Sequence, residues 1–357
     1  MRRRRKEIFV TVLVIFIALA CSVLAQSPSQ LLPAPKPPDI PKRWKPWIGE
    51  YGGLHPLPSV TTAYVLAETD GYFWISQRIS GPNGMHYEND QKFRARGSSP
   101  DVHGLSVGSS GKRELTLGDV VIDKITPDFD ARAQILITPV RPVAELRSEA
   151  LSATPPEETG DFREPDLVEL APLDPGIHLD IRYATANDFL GTPVYSQARA
   201  FLQRPAGKAL LRVLQKLKAL GYGLLIHDAY RPWYVTKIFW DATPPEGKIF
   251  VADPAQGSRH NRGCAVDLTL YDLATGKPIE MPGTYDEMSP RSFPDYPGGT
   301  SLQRWHRDLL RRAMESEGFT VYEAEWWHFD YKDWKEYPIL NVPFERLGLK
   351  AAAGPTH

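Results

Sequence analysis

Three short segments in the C-terminal half of this chain concentrate side chains that bind metals and move protons. They are residues 228–232 (DAYRP), 258–267 (SRHNRGCAVD) and 325–329 (EWWHF). Together they supply two histidines, a metal-binding aspartate, a further glutamate and an arginine. Each segment alone is a weak signal, but the three in this order indicate a zinc hydrolase that recognises a negatively charged group.

His260, Asp267 and His328 are the predicted metal ligands. A catalytic zinc ion takes three protein ligands and keeps one position open, and this set provides three. His260 and Asp267 lie seven residues apart across a predicted turn at Gly263. Considered singly, His260 is more simply an exposed loop histidine, Asp267 a turn or cap carboxylate, and His328 a core histidine. Their joint occurrence favours zinc, although cobalt or nickel accept the same ligands.

Glu325 is the predicted general base. It lies three residues before His328, so it can reach a water molecule beside the metal without being a ligand. Residues three apart on a regular strand point to opposite faces, so we expect a bend or a loop in this segment. The alternative is a surface glutamate beside Trp326 and Trp327. We expect both tryptophans to pack a wall, and an apolar wall raises the pKa of a carboxylate.

Arg231 follows Tyr230 at the end of a predicted buried strand. A guanidinium there can orient a substrate carboxylate or stabilise an oxyanion as it forms. The competing interpretation is a structural arginine paired with Asp228. Asp228 orients Arg231 under either interpretation.

The N-terminus resembles an export signal. A basic run (2–6), an apolar stretch (8–20) and Val23-Leu24-Ala25 predict a signal peptide over residues 1–25. An uncleaved anchor and lipidation at Cys21 are the alternatives, and all three predict an exported, periplasmic or cell-envelope protein. We expect membrane contact only through this segment.

The charge and the cysteine content of the chain argue against two further features, a nucleic-acid partner and an intrachain disulfide. The chain has 357 residues and a net charge of −1, which argues against a nucleic-acid partner. Of its two cysteines, cleavage after residue 25 leaves only Cys264, so no intrachain disulfide is expected.

The predicted fold class is α+β, with helices around a central antiparallel sheet that carries the zinc site, preceded by a small antiparallel β module. Apolar periodicity predicts helices over 206–220 and 302–316. Strands are predicted over 224–228, 265–271 and 326–329. In the β module, residues 63–68 and 72–75 predict a hairpin, with further strands at 115–117, 120–125 and 134–140.

The predicted domain organisation has six parts. They are a signal peptide (1–25), a Pro-rich linker (26–45), the β module of unknown role (46–142), a second linker (143–165), the catalytic domain (166–349) and a tail (350–357).

The catalytic segments resemble the zinc D-alanyl-D-alanine dipeptidases of the vancomycin-resistance type and their housekeeping relatives. The resemblance covers about residues 166–347 and includes residues 180–191 (DIRYATANDFLG) as well as the three segments above. It implies zinc ligands at His260, Asp267 and His328, a catalytic base at Glu325 and a transition-state-stabilising arginine at Arg231. It also implies substrate contacts from Ser258 and Tyr183.

The resemblance implies one Zn²⁺ per chain and hydrolysis of D-alanyl-D-alanine to two D-alanines. Zinc would polarise the carbonyl and activate water, while Glu325 shuttles the proton. The expected partner is a small dipeptide, with peptidoglycan fragments as a further option. One rival is a peptidoglycan D,D- or L,D-carboxypeptidase that trims stem peptides with the same chemistry. The other is a non-enzymatic wall-binding protein with a decayed metal site.

Overall fold

The structure, a computed structural model, describes residues 28–52, 63–81, 84–93, 104–117, 120–125 and 136–347. The predicted signal peptide, Cys21 and the predicted C-terminal tail lie outside these residues. Among the residues described, no helix has both the length and the apolar character needed to cross a membrane.

The N-terminal part holds two antiparallel sheets. The first has the order β1-β2-β3-β4, and the second has the order β5-β6-β7. Their strands are β1 (Gly49–Gly52), β2 (Ala63–Thr69), β3 (Tyr72–Gly81), β4 (Gly84–Phe93), β5 (Leu105–Val107), β6 (Arg113–Leu117) and β7 (Val120–Asp123). The predicted hairpin is confirmed, with Asp70 and Gly71 at positive φ in its turn. The strand predicted at 134–140 is wrong over residues 136–140, which form no strand.

This part has its own apolar core, separate from the larger one. Tyr51, Leu66, Phe73 and Leu115 are among its buried members. The sheets bury one face on this cluster, as antiparallel sheets commonly do. The structure therefore contains the antiparallel β module that the sequence predicts.

A five-stranded sheet organises the C-terminal part, in the order β13-β14-β12-β11-β9. The strands here are β8 (Leu167–Glu169), β9 (Ile177–Leu179), β10 (Phe201–Gln203), β11 (Tyr222–Asp228), β12 (Ala265–Asp272), β13 (Phe319–Tyr322) and β14 (Glu325–Tyr331). The sheet is antiparallel except that β9 runs parallel to β11. The α+β class is confirmed, and the central sheet that the sequence predicts as antiparallel is so except at this edge. The reason is that β9 reaches β11 through a long crossover that includes a helix.

Helices cover this sheet and bury the apolar stripes that the sequence predicts. The α-helices within the described residues are α1 (Pro28–Leu31), α2 (Val143–Ser152), α3 (Arg204–Lys218), α4 (Trp233–Ala242) and α5 (Ser301–Glu315). In α3, Leu210, Leu214 and Leu217 share one buried face at helical spacing. A capping box between Thr300 and Gln303 fixes the start of α5. Both predicted helices are thus confirmed.

The two predicted linkers need correction, because both carry packed structure. Within 143–165, α2 buries Leu146 and Ala150, which lie four residues apart and so face the same side. Within 26–45, Leu31 is only 1% exposed and belongs to the larger core. Apolar side chains between the prolines find partners that composition alone does not reveal. The limits of the domains remain a prediction.

The N-terminal part also contacts the C-terminal part directly. Glu68 accepts hydrogen bonds from the backbone N–H and hydroxyl of Ser301, at 3.0 and 2.8 Å, at the start of α5. A carboxylate is stabilised at this end of a helix by the unpaired N–H groups. Lys45 forms an ion pair of 2.8 Å with Glu280. These contacts place the β module against the loop that follows β12.

Candidate active site

Neighbouring strands and one tight turn bring the three predicted ligands together. Asp267 on β12 pairs directly with His328 on β14, so both side chains point to the same face. His260 lies in a short 3₁₀ turn just before β12. The chain returns from this turn through Gly263 at φ +65°, where an added Cβ would lie 2.5 Å from Leu167 Cδ2. Only glycine meets both conditions.

The potential ligand atoms converge on one point. His260 Nε2 lies 3.0 Å from His328 Nδ1, and Asp267 Oδ1 lies 3.0 Å from His328 Nδ1 and 3.3 Å from His260 Nε2. All three residues are buried, and these atoms lie within 4.8 Å of one another. This is a geometry in which one metal ion can contact all three.

Hydrogen bonds on the far sides of both rings fix their tautomers. His260 Nδ1 lies 2.6 Å from the Ala229 carbonyl oxygen, and His328 Nε2 lies 2.9 Å from Asp330 Oδ1. A carbonyl and a carboxylate only accept, so these outer ring nitrogens donate, and the converging nitrogens are the ones that a metal ion can bind in place of a proton. Asp267 Oδ1 is buried and has no hydrogen-bond partner among the described residues. Three potential ligand atoms facing one another in this way fit a cation.

The pKa shifts of His328 and Asp267 also indicate that this cluster favours a cation. Burial alone would lower the pKa of His328, but the carboxylates of Asp330 and Asp267 raise it to about 10. Burial opposes ionisation of Asp267, yet the adjacent His260 and His328 rings hold its pKa well below the usual range. The cluster therefore stabilises positive charge, as a metal site does.

Glu325 lies beside the cluster without joining it. Its Oε2 is 3.7 Å from His328 Nδ1, and its side chain is 14% exposed. Burial raises the pKa of Glu325 to about 7, with His328 opposing this and Asp267 adding to it. The pairing of β13 with β14 shifts register here, because Tyr322 pairs with Glu325 while Val321 pairs with Phe329. This irregularity is the predicted bend, and it lets Glu325 and His328 face one cavity.

Arg231 is both paired and positioned at the cluster. Its Nε and Nη2 donate to Asp228 Oδ2 at 3.0 and 2.8 Å. Tyr195 donates to the other oxygen of Asp228 at 2.7 Å, so the carboxylate is held on both sides. Arg231 Nη2 lies 4.0 Å from Asp267 Oδ2. The structural pairing with Asp228 is present, and it aims the guanidinium at the same site.

All seven residues predicted for the site line one cavity of about 110 Å³: Tyr183, Arg231, Ser258, His260, Asp267, Glu325 and His328. Ser258 accepts a hydrogen bond from the backbone N–H of His260 at 3.2 Å, which steadies the ligand loop. Tyr183 donates to Asp286 Oδ1 at 3.1 Å. Cys264 is buried and does not line this cavity, and burial raises the pKa of its thiol.

The loop between β12 and α5 adds residues that the sequence analysis missed. Asp286 lines the cavity at φ +57°, an uncommon conformation for a non-glycine residue. Burial raises the pKa of Asp286 well above its usual value, and Asp267 and Glu325 add to this effect. Tyr285 donates to Asp267 Oδ2 at 3.2 Å. Asp330, which holds His328, was also missed, although it lies only two residues after a predicted ligand.

Comparison with known proteins agrees with this geometry. The family model described as D-Ala-D-Ala dipeptidase, of peptidase family M15, matches residues 163–345, about half of the chain. This chain belongs to that family. It is therefore a metallopeptidase, a hydrolase whose family depends on a metal. The matched span includes every residue of the site described above.

Individual relatives of this M15 peptidase carry the same description. The D-alanyl-D-alanine dipeptidase of Escherichia coli K12 is 36% identical over 179 residues, covering 50% of this chain and 91% of the relative. The enzyme of Enterococcus faecalis V583 is 35% identical over 187 residues, covering 47% and 92%. That of Streptomyces coelicolor is 35% identical over 193 residues, covering 49% and 93%. The resemblance inferred from the sequence segments is thereby confirmed.

Proposed function

We propose that this M15 peptidase is a zinc-dependent dipeptidase that hydrolyses D-alanyl-D-alanine to two D-alanines. The observation that carries the proposal is the buried convergence of His260, Asp267 and His328 beside Glu325 and Arg231 in one small cavity. The dipeptidase relatives support the substrate.

The donor set suits zinc. Two imidazole nitrogens and one carboxylate oxygen are ordinary zinc ligands, and three protein ligands leave a position open, as catalytic sites require. When bound, zinc would supply Lewis acidity for the peptide carbonyl and lower the pKa of the attacking water. Ala229 and Asp330 accept hydrogen bonds from the outer nitrogens of the two rings, which orients the inner nitrogens toward the metal position.

Glu325 would act as the general base. Its position 3.7 Å from His328 Nδ1 places it next to the ligands, and its low exposure keeps it poorly hydrated. A carboxylate whose pKa is raised by burial accepts a proton from water more readily than an exposed one does. The same carboxyl then donates that proton to the leaving amine.

Arg231 would hold the charge that develops on the carbonyl oxygen. Asp228 fixes the guanidinium through two hydrogen bonds, so little reorganisation is needed as the charge forms. The guanidinium also lies against the rings of Tyr183 and Phe239, at 5.5 and 4.9 Å from their centroids. These contacts restrict its motion and exclude water.

Asp286 would receive the ammonium of the dipeptide. It lines the cavity, and its Oδ2 is buried without a hydrogen-bond partner among the described residues. An ammonium placed there would satisfy this oxygen and favour the ionised carboxylate. A cavity of about 110 Å³ leaves little room beyond a small ligand. A peptide extended at its N-terminus has no ammonium to offer Asp286, so we propose that free dipeptides are preferred.

Location is also part of the proposal. The basic and apolar segments at residues 1–25 favour export to the periplasm or cell envelope. There the enzyme would act on free dipeptide or on small peptidoglycan fragments.

The test compares two substrates with purified, zinc-loaded protein. Release of D-alanine is measured from D-alanyl-D-alanine and from a stem pentapeptide ending in D-alanyl-D-alanine, each with and without chelator. We expect chelator-sensitive cleavage of the dipeptide alone. Cleavage of the pentapeptide would instead identify a wall carboxypeptidase, and silence on both substrates would reject the proposed activity.

A further inference from the structure

The loop between β12 and α5, residues 273–300, supplies Asp286 and Tyr285 to the active site with little regular structure to hold them. Among its residues, all of which the structure describes, there is no strand, and helical structure is limited to a 3₁₀ turn at Pro290–Ser292. Asp286 lies at φ +57°, a conformation that persists only where the surroundings hold it. The position of these side chains therefore depends on contacts between the loop and the rest of the chain.

Glu287 closes the segment that carries these two residues. Its Oε2 accepts a hydrogen bond from the backbone N–H of Thr284 at 2.9 Å, and its Oε1 accepts one from Arg291 Nε at 2.5 Å. Glu287 and Arg291 are 5% and 8% exposed, so the pair is shielded from bulk water. A shift of Arg291 would move Glu287, whose immediate neighbour in the chain is Asp286.

The β module also reaches Arg291. Ile48 and Gly49 line one small cavity, of about 30 Å³, together with Arg291. Glu50 follows Gly49 on β1 and is only 1% exposed. Burial opposes the charge of Arg291, but Glu287 and, more weakly, Glu50 raise its pKa. A buried guanidinium needs carboxylate partners, and here one belongs to the loop and the other to the module.

A second set of contacts joins the hairpin of the module to the end of the loop. The backbone N–H of Glu68 donates to the Gly299 carbonyl at 3.0 Å. Arg304 on α5 donates through Nη2 to the Glu68 carbonyl at 2.8 Å and to Thr69 Oγ1 at 2.7 Å. Its Nη1 donates to the carbonyls of residues 297–299, at 3.1, 3.2 and 3.0 Å. One guanidinium thus binds the hairpin and the loop together.

The module lies outside the part of the chain that the M15 family model matches. That match covers residues 163–345, which include Asp286 and Arg291 but neither Glu50 nor Glu68. Glu50 and Glu68 are nevertheless 1% exposed each. Glutamates are almost never buried so fully unless they are paired. Two buried carboxylates of the module therefore serve its contact with the catalytic part of the chain.

We propose that the β module positions the substrate-binding loop of this enzyme and thereby sets its affinity for the dipeptide. Glu50 holds Arg291, and Arg291 holds Glu287. Glu287 in turn fixes the turn from which Asp286 faces the cavity. That role rests on the proposed function, in which Asp286 receives the ammonium of the dipeptide.

The first test replaces Glu50 by glutamine in the full, zinc-loaded chain. Glutamine keeps the size of the side chain but removes the charge that acts on Arg291. Since a misplacement of about 1 Å can cost about 10²-fold, we expect KM for D-alanyl-D-alanine to rise roughly 10-fold. The value of kcat should stay within about twofold, because binding lost equally from the ground state and the transition state raises KM alone.

Glu169→Gln is the matched control. It breaks an ion pair of 2.6 Å with Arg199, which lies outside the loop, and it should leave KM unchanged. An unchanged KM in Glu50→Gln, or an equal rise in Glu169→Gln, would overturn the proposal. Silence of the unaltered protein toward D-alanyl-D-alanine would reject the proposed function instead.

Amide hydrogen exchange decides whether the module holds the loop, and it does not depend on activity. In Glu50→Gln, we expect the amides of residues 284–293 to exchange at least roughly 10-fold faster, with α3 and β11 unchanged. Thr69→Val, a change at a partly exposed residue that also serves if Glu50→Gln folds poorly, removes the hairpin acceptor for Arg304. It should speed exchange over residues 298–301. Unchanged loop exchange in both variants, or an equal rise throughout the protein, would overturn the proposal.

Discussion

Replacing Glu325 by glutamine tests the proposed general base most directly. Glutamine keeps the size of the side chain and one carbonyl oxygen, so the packing around Trp327 and His328 should persist. It cannot accept a proton from water. Glu325 does not belong to the cluster of possible metal ligands, and its nearer oxygen is 3.7 Å from His328 Nδ1. We therefore expect Glu325→Gln to retain one zinc ion per chain.

The expected loss of activity follows from the role assigned to this carboxylate. A positioned general base contributes about 10²–10⁴-fold to the rate, which corresponds to roughly 3–5 kcal/mol of transition-state stabilisation. The loss should appear in kcat, because a proton transfer is made only in the transition state. KM for D-alanyl-D-alanine should change little.

The assay pairs D-alanine release with zinc analysis on the same preparation. Glu323→Gln is the matched control, since this glutamate lies two residues earlier and is exposed. It should retain full activity and full zinc. If Glu325→Gln kept near-normal kcat, the base assignment would be wrong. If it lost zinc, Glu325 would have to be counted among the groups that hold the metal.

Three further substitutions test the groups around the ligands. Tyr285→Phe removes the hydrogen bond to Asp267 Oδ2, and we expect roughly 10-fold weaker zinc binding in a chelator competition; unchanged affinity would show that the hydroxyl does not hold the ligand. Asp330→Asn keeps an acceptor for His328 but removes the charge, so the zinc dissociation constant should rise about 10- to 100-fold. An equal affinity would confine Asp330 to a packing role. Arg231→Lys should lower kcat about 10²–10³-fold with zinc retained, because an ammonium cannot both keep the two hydrogen bonds to Asp228 and reach the oxyanion; a loss confined to KM would assign Arg231 to substrate binding instead.

The sequence predicted the possible metal ligands better than it predicted the residues that surround and orient them. His260, Asp267 and His328 were found because metal ligands are restricted to few residue types, and their segments are short and local. Asp286 was missed because it lies in an irregular loop, where no periodicity marks which side chains point inward. Its role depends on the path of that loop back over β12.

The helices and strands also differ in how well the sequence predicts them. Helix α3 and strand β12 follow from apolar spacing over a window long enough to show a period. Helix α2 was missed because a proline-rich, acidic stretch follows it and the whole segment reads as a linker. Its burial of Leu146 and Ala150 depends on a surface supplied by distant parts of the chain.

The amino-acid sequence by itself determined the class of chemistry, because an arginine, a histidine, an aspartate, a glutamate and a second histidine in these segments suit few reactions other than metal-assisted hydrolysis. Tertiary structure decided how those groups are held. Asp267 pairs with His328 across two strands, and Tyr285 donates a hydrogen bond to Asp267. The two histidines donate to the Ala229 carbonyl and to Asp330. Such contacts arise only when the sheet closes, because hydrogen bonding and burial act on positions in space and not on positions along the chain.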